Sequence, residues 1–225
     1  MDWKDKRIWV GVLITSIFLI SGCSQKEPEV TVDQSYELAH FNYTKDNETF
    51  TSIKYEDMAP AVEWIRQNTP EDAVFLNWWD YGHIIRGQAE REAIVWEPSK
   101  EILFTVARYA AMSNEEREKV ECPQCNPHDR ILDVVNALIA EDASETIEIM
   151  SKYNATYLLV RWEDKHKSYV IFLISDKDPA DYVTEYYEPK EAALSTTLFR
   201  AINSEDIEGF ELVYSDDSVN IYQKS

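Results

Sequence analysis

Apolar positions divide the chain into three stretches. Residues 8–20 form an almost continuous apolar run, and residues 23–54 are polar, lack helical periodicity and read as a flexible tether. From Tyr55 onward, apolar residues return at the spacings of packed elements. Met58, Val62 and Ile65 mark one face of a helix that ends near Asn68, just before Thr69-Pro70. Residues 73–76 and 93–96 read as short buried strands. Leu103, Val106, Ala107 and Ala110 form a second helical stripe, and Ser113-Asn114-Glu115-Glu116 has the form of a capping box. Ile131, Val134, Val135 and Leu138 stripe a further helix. Asp142-Ala143-Ser144-Glu145 caps another that runs to about Tyr153, and residues 156–161 are a β-branched and aliphatic strand. Residues 210–214 and 219–223 flank Ser215-Asp216-Asp217-Ser218 as a terminal hairpin. Strands alternating with helices predict one mixed, layered α/β domain over residues 55–225, with helices around a small sheet.

The apolar run carries an address. Lys4, Lys6 and Arg7 precede it, and Ile20-Ser21-Gly22-Cys23 closes it with small residues before a cysteine. That is the layout of a secretory signal over residues 1–22, with Cys23 as the lipidated first residue of the mature chain. The alternative is an uncleaved anchor helix, for which the run is short against a full span of about 20 residues. Either reading places the rest of the chain outside the cytoplasm, held at the membrane surface by its N-terminus.

Composition narrows the chemistry. The 225 residues carry 22 Lys+Arg against 42 Asp+Glu, a formal net charge of −20. Such a surface repels phosphate backbones, and no basic patch offsets it, so nucleic acid is not an expected partner. Of the 5 glycines, Gly11 and Gly22 fall in the signal, leaving Gly82, Gly87 and Gly209. A phosphate-cradling loop needs several close together, which excludes the common nucleotide-binding loops. His-Glu-x-x-His and Gly-x-Ser-x-Gly are both absent, and no cofactor is expected.

Asn77-Trp78-Trp79-Asp80-Tyr81-Gly82-His83 follows directly on a buried strand. Adjacent tryptophans cannot both enter one core from an extended segment, so at least one is presented, and Asp80 and Gly82 supply turn chemistry. Indole N–H donors beside a carboxylate acceptor suit a hydroxyl, which both donates and accepts. A site of this kind rejects ligands that lack the hydroxyl, because its polar groups are then left unpaired.

Trp78-Trp79-Asp80-Tyr81-Gly82 resembles the W-W-D-Y-G signature of oligosaccharyltransferase catalytic subunits, whose archaeal form works as a single subunit. The family transfers a lipid-linked glycan to Asn in Asn-x-Ser/Thr, and the signature binds the Ser/Thr hydroxyl of the acceptor. Its globular domain also carries D-x-x-K-x-x-x-I/M on a helix beside that pocket, matched here by Asp164, Lys167 and Ile171. The resemblance covers roughly residues 55–225. It implies that Trp78, Trp79, Asp80, Tyr81 and Gly82 form the hydroxyl pocket, that Asp164 and Lys167 shape it, and that Ile171 touches the methyl of Thr. The family's catalysis resides in a multi-span membrane region with metal-ligating acidic loops, which this chain does not match. The expected role is therefore recognition of sequon-containing segments, accessory to N-glycosylation and without transfer by this chain alone. A multi-span membrane glycosyltransferase is the partner the resemblance suggests. The alternatives are a structural cell-envelope lipoprotein that kept the fold and lost the pocket, and a transferase subunit active only in complex.

Three features stand outside the resemblance. Cys122-Pro123-Gln124-Cys125, with His128 nearby, reads first as a disulfide or free thiols, then as a partial metal site, and last as a redox pair. Asn42, Asn47 and Asn154 begin Asn-x-Thr sequons and are candidate glycan acceptors on an exported chain. His83 adjoins the aromatic motif and is placed to line its pocket, whereas His40 and His166 carry no such context.

Overall fold

The computed structural model describes residues 40–105, 113, 115, 122 and 124–225. The expected signal, Cys23, Val106, Ala107, Ala110, Asn114 and Glu116 lie outside these residues. A five-stranded sheet forms the centre, in the order β4-β3-β5-β7-β6. β3 (Val74–Leu76) is flanked in parallel by β4 (Glu92–Ala93) and β5 (Tyr157–Arg161). β6 (Phe210–Ser215) and β7 (Val219–Lys224) complete it as an antiparallel hairpin, β7 lying against β5. All five residues of β5 are buried, as the central strand of a sheet covered on both faces requires.

Helices supply the covering layers. α1 (Ala59–Asn68) buries Ala61, Val62 and Ile65 and ends where Thr69 turns extended before Pro70. α2 (Gly82–Gly87) and α3 (Lys100–Thr105) follow the first two strands. α4 (His128–Ile139) packs Ile131, Val134, Val135 and Leu138 inward, and α5 (Ala143–Lys152) opens with the Asp142 carboxylate accepting the Ser144 N–H at 2.9 Å. α6 (Asp164–Ile174) carries the second motif. The short helices α7 (Pro179–Tyr182), α8 (Glu191–Leu194) and α9 (Thr197–Ile202) close the core before β6. Among the described residues, no helix is long and apolar enough to cross a membrane.

Two expectations change. Residues 40–53, assigned from the sequence to a flexible tether, form an antiparallel hairpin of β1 (His40–Lys45) and β2 (Glu48–Ile53). Asp46 and Asn47 both take positive φ (52° and 65°), the two-residue turn whose twist matches paired strands. Phe41, Tyr43 and Phe50 turn toward α2, where Tyr43 stacks on Phe50 at 5.1 Å. The strand expected over residues 93–96 is ladder-paired at Glu92–Ala93, with the Ile94 N–H still donating to the Phe75 carbonyl at 2.9 Å, and the chain leaves the sheet from Val95 on.

Gly82 marks the tightest approach between elements. A Cβ there would lie 2.1 Å from the Val95 carbonyl oxygen and 2.3 Å from Trp96 Cα. Helix propensity favours alanine over glycine by about 1 kcal/mol, but the atoms met are backbone and cannot rotate aside. Gly82→Ala is therefore expected to destabilise the domain by about 1–3 kcal/mol, measured by chemical denaturation.

Candidate functional site

The motif's geometry begins at the end of β3. Buried Asn77 donates from Nδ2 to the carbonyls of Trp78 (2.7 Å) and Val95 (3.2 Å), fixing the chain as it leaves the sheet. Trp79–Tyr81 then form one 3-10 turn that runs into α2. The rings of Trp78 and Trp79 stack at 3.7 Å, Trp78 buried and Trp79 half-buried on the surface side. The turn resolves the tandem indoles by placing one beneath the other.

Tyr81 is wholly buried and ties the turn to α6. Its hydroxyl donates to Asp164 Oδ1 at 2.5 Å and accepts from Lys167 Nζ at 2.6 Å. Lys167 Nζ also stands 2.8 Å from Asp80 Oδ2 and 3.7 Å from Asp164 Oδ1. The second Asp164 oxygen accepts the Arg161 N–H at 2.9 Å. Buried Arg161 pairs with Asp57 and Glu163, its guanidinium 5.0 Å from the Tyr55 ring and 5.2 Å from that of Tyr81. Asp80, Tyr81, Asp164 and Lys167 are thus brought together from segments more than 80 residues apart. Ile171 lies apart from these four: at 0% exposure it sits in the core and is not among the residues that line the cleft. The helical period that puts Ile171 on the face of Asp164 and Lys167 also places it two turns along that face.

Beside this network lies an open cleft of about 190 Å³. The motif contributes Trp79, Asp80 and His83; the end of β2 and the residues after it contribute Ser52, Ile53 and Tyr55; the segment leaving β4 contributes Trp96, Glu97 and Pro98. His83 bridges two walls, with Nδ1 2.7 Å from the Tyr43 hydroxyl and Nε2 2.6 Å from Glu97 Oε1. The far wall is clamped from behind. Buried Asn126 accepts the backbone N–H groups of both Trp96 and Glu97 at 2.9 Å through one oxygen. The Arg86 guanidinium lies 3.9 Å from the Trp96 ring centroid. A space of this size takes one or two side chains and is small beside ordinary cofactor pockets.

Cys122 and Cys125 are joined in a disulfide that directly precedes Asn126. This excludes the partial metal site considered for Cys122, Cys125 and His128, because sulfurs bonded to each other offer no thiolate. His128 Nδ1 instead meets the Ser99 hydroxyl at 2.8 Å near the start of α3. Among the described residues, no group of three or more His, Cys, Asp or Glu side chains is arranged to hold a metal. Asn42, Asn47 and Asn154 are all exposed, and the Asn42 side chain accepts from the Thr51 hydroxyl at 2.7 Å.

Sequence reasoning missed Asn77 and Asn126, which hold backbone at either wall, and it missed the hairpin that supplies Ser52 and Ile53. The hairpin had a readable signal. Asp46-Asn47 separates two runs rich in Thr and aromatic residues, which is hairpin chemistry.

Comparison with known proteins fits this geometry. A family model described as HaoA-associated protein HaoB matches residues 30–172, a span that includes both motifs and the hairpin. The chain belongs to that family. It is also similar to segments of oligosaccharyltransferase subunits. It is 40% identical over 76 residues to the dolichyl-diphosphooligosaccharide–protein glycosyltransferase subunit STT3B of Oryza sativa, covering 32% of this chain and 10% of that protein. It is 45% identical over 45 residues to subunit stt3 of Schizosaccharomyces pombe, covering 20% and 6%. The match therefore spans a tenth or less of these relatives' length. In architecture it matches the C-terminal globular domain of oligosaccharyltransferase (AfAglB-S2) from Archaeoglobus fulgidus, with a TM-score of 0.54, 17% identity, and coverage of 76% of this chain and 99% of that one. A second Archaeoglobus fulgidus oligosaccharyltransferase, solved with a tethered acceptor peptide containing the NVT sequon, aligns with a TM-score of 0.51 and 16% identity. That alignment covers 73% of this chain and 24% of the other. The fold is that of the oligosaccharyltransferase C-terminal globular domain.

The buried network sets a pH response. Burial, with the Asp164 and Asp80 carboxylates nearby, holds the Tyr81 hydroxyl well above its usual 10.0. Burial works against the Lys167 charge, yet Asp80 and Asp164 hold its ammonium above the usual 10.5. Burial raises the Asp164 carboxyl despite Lys167, the Arg161 N–H and the Tyr81 hydroxyl, which all pull it down. Tyr81 and Lys167 keep their protons to higher pH in the folded chain than in the unfolded one. Their stabilisation is therefore full below about pH 10 and is lost as pH rises further. Tyr81→Phe is expected to cost about 1–3 kcal/mol at neutral pH and to flatten the loss of stability between pH 9.5 and 11, measured by denaturant titration across that range.

Proposed function

We propose that this chain is an extracytoplasmic recognition domain that binds the Ser/Thr hydroxyl of Asn-x-Ser/Thr segments, in the service of N-glycosylation and without transferring the glycan itself. The observation that carries the reading is the convergence of Asp80, Tyr81, Asp164 and Lys167. Lys167 holds Asp80 at 2.8 Å, with the Asp80 side chain still 30% exposed at the cleft beside Trp79. A carboxylate fixed in this way accepts a hydroxyl proton without reorganising, and the neighbouring indole provides an apolar wall. The fold shared with oligosaccharyltransferase C-terminal domains supports the same reading, as does an acceptor peptide bound by one of those relatives. On this proposal residues 1–22 are an export signal, and Cys23 anchors the chain at the outer membrane face, where a multi-span glycosyltransferase would act on the segment presented.

The family description favours a second reading, in which the domain docks on a separate protein, HaoA. Binding to folded HaoA without binding to isolated peptides would select this second reading over the first.

The test is calorimetric titration of the chain with an Asn-x-Thr peptide and its Thr→Val twin, which keeps the shape and drops the hydroxyl. The Thr peptide is expected to bind about tenfold tighter or more, the scale of one hydrogen bond to a charged group. Asp80→Ala should abolish that difference. Equal binding of the twins by the wild-type chain contradicts the proposal.

A further inference from the structure

The two carboxylates of the cleft are not equivalent. Asp80 is matched by the Lys167 ammonium at 2.8 Å. Among the described residues, the Glu97 carboxylate meets His83, whose other ring nitrogen lies 2.7 Å from the Tyr43 hydroxyl. A neutral imidazole satisfies both contacts, donating from Nε2 to Glu97 and accepting at Nδ1 from Tyr43. Among the described residues no lysine or arginine pairs with Glu97, whose side chain is 31% exposed. No lysine or arginine is among the described residues that line the cleft. The Arg86 guanidinium is 4% exposed and lies against the Trp96 ring. A small cleft with a carboxylate that no described lysine or arginine pairs with, bordered by Trp96, Trp79, Tyr55 and Pro98, has the chemistry of a cation site: charge at the carboxylate, aliphatic stem along the rings.

We infer that the cleft selects segments in which a lysine or arginine flanks the hydroxyl-bearing residue, with that cation placed opposite Glu97. The Asn126 clamp on the Trp96 and Glu97 N–H groups keeps the carboxylate aimed before the ligand arrives, so selectivity requires no rearrangement. The inference rests on the proposed function for the hydroxyl, but the cation preference has its own readout.

Four peptides titrated into the full chain separate the two: Thr or Val at the hydroxyl position, each with Lys or Glu on both flanks. Lys-flanked peptides are expected to bind about tenfold tighter than Glu-flanked ones at low salt. Because the chain carries −20 overall, part of any such preference is long-range. Glu97→Gln changes that field little and removes the local charge, so it should cut the ratio to about a third or less. Glu148→Gln, on the outer face of α5, should leave it intact. A Lys-to-Glu ratio below twofold overturns the inference, as does a ratio unchanged in Glu97→Gln or lowered equally by both variants. Lys preference without Thr preference upholds the inference and contradicts the hydroxyl reading, and the converse result does the opposite. If none of the four binds, both fail.

Discussion

A phenol hydroxyl, a carboxylate and an ammonium cannot be buried together unless each satisfies the others, and the site is organised around that requirement. Tyr81 is removed from water with its hydroxyl between Asp164 and Lys167. Any shift of the 3-10 turn relative to α6 would strand at least two polar groups in a place water does not reach, at a cost of about 1–3 kcal/mol each. The two motifs are consequently locked in one relative position. Asp80, one residue before Tyr81, inherits that precision through Lys167 and is delivered to the cleft as a fixed acceptor. The network is internal, and its product is the orientation of one half-exposed carboxylate.

The opposite wall is positioned by backbone. Gly82 lets α2 start against the Val95–Trp96 segment, Asn77 bonds to the Val95 carbonyl, and Asn126 takes the next two N–H groups. Three residues of small or polar side chain therefore fix a stretch that has left the sheet and would otherwise be a loose loop. The Cys122–Cys125 disulfide closes the turn immediately before Asn126 and restricts the chain that carries the clamp. The β1–β2 hairpin forms the remaining side, seated where Gly87 leaves room for the rings of Phe41 and Tyr43. The family model extends over this hairpin, the first motif and the segment leaving β4, the three stretches that line the cleft.

Much of the fold was legible because its signals are local. The stripe from Ile131 to Leu138, the Asp142 cap and the apolar strand before Asp164 each state their structure within a dozen residues. The pairing of the two motifs was legible only through resemblance, since no local pattern reports that Tyr81 meets Lys167. What escaped was non-local or masked by polarity. The hairpin is rich in Thr and Asn and looks like a linker until its aromatic residues find α2. Val95 and Trp96 read as strand because Val-Trp is β-prone, yet the Val95 carbonyl accepts from Asn77 and the Trp96 N–H goes to Asn126, thirty positions downstream. Ile171 fits its motif by spacing, but helical phase assigns a face and says nothing of depth, and the core claims it.

The central claim is that the cleft beside Asp80 is where a peptide hydroxyl is held. The most direct measurement is the indole N–H spectrum of the ¹⁵N-labelled chain, assigned by single Trp→Phe replacements, on addition of an Asn-x-Thr peptide. The account predicts that the resonances of Trp79 and Trp96, which line the cleft, move together, while those of Trp64 and of Trp162, exposed at the start of α6, stay in place. Saturable movement at Trp162 or Trp64 with Trp79 unmoved would contradict it.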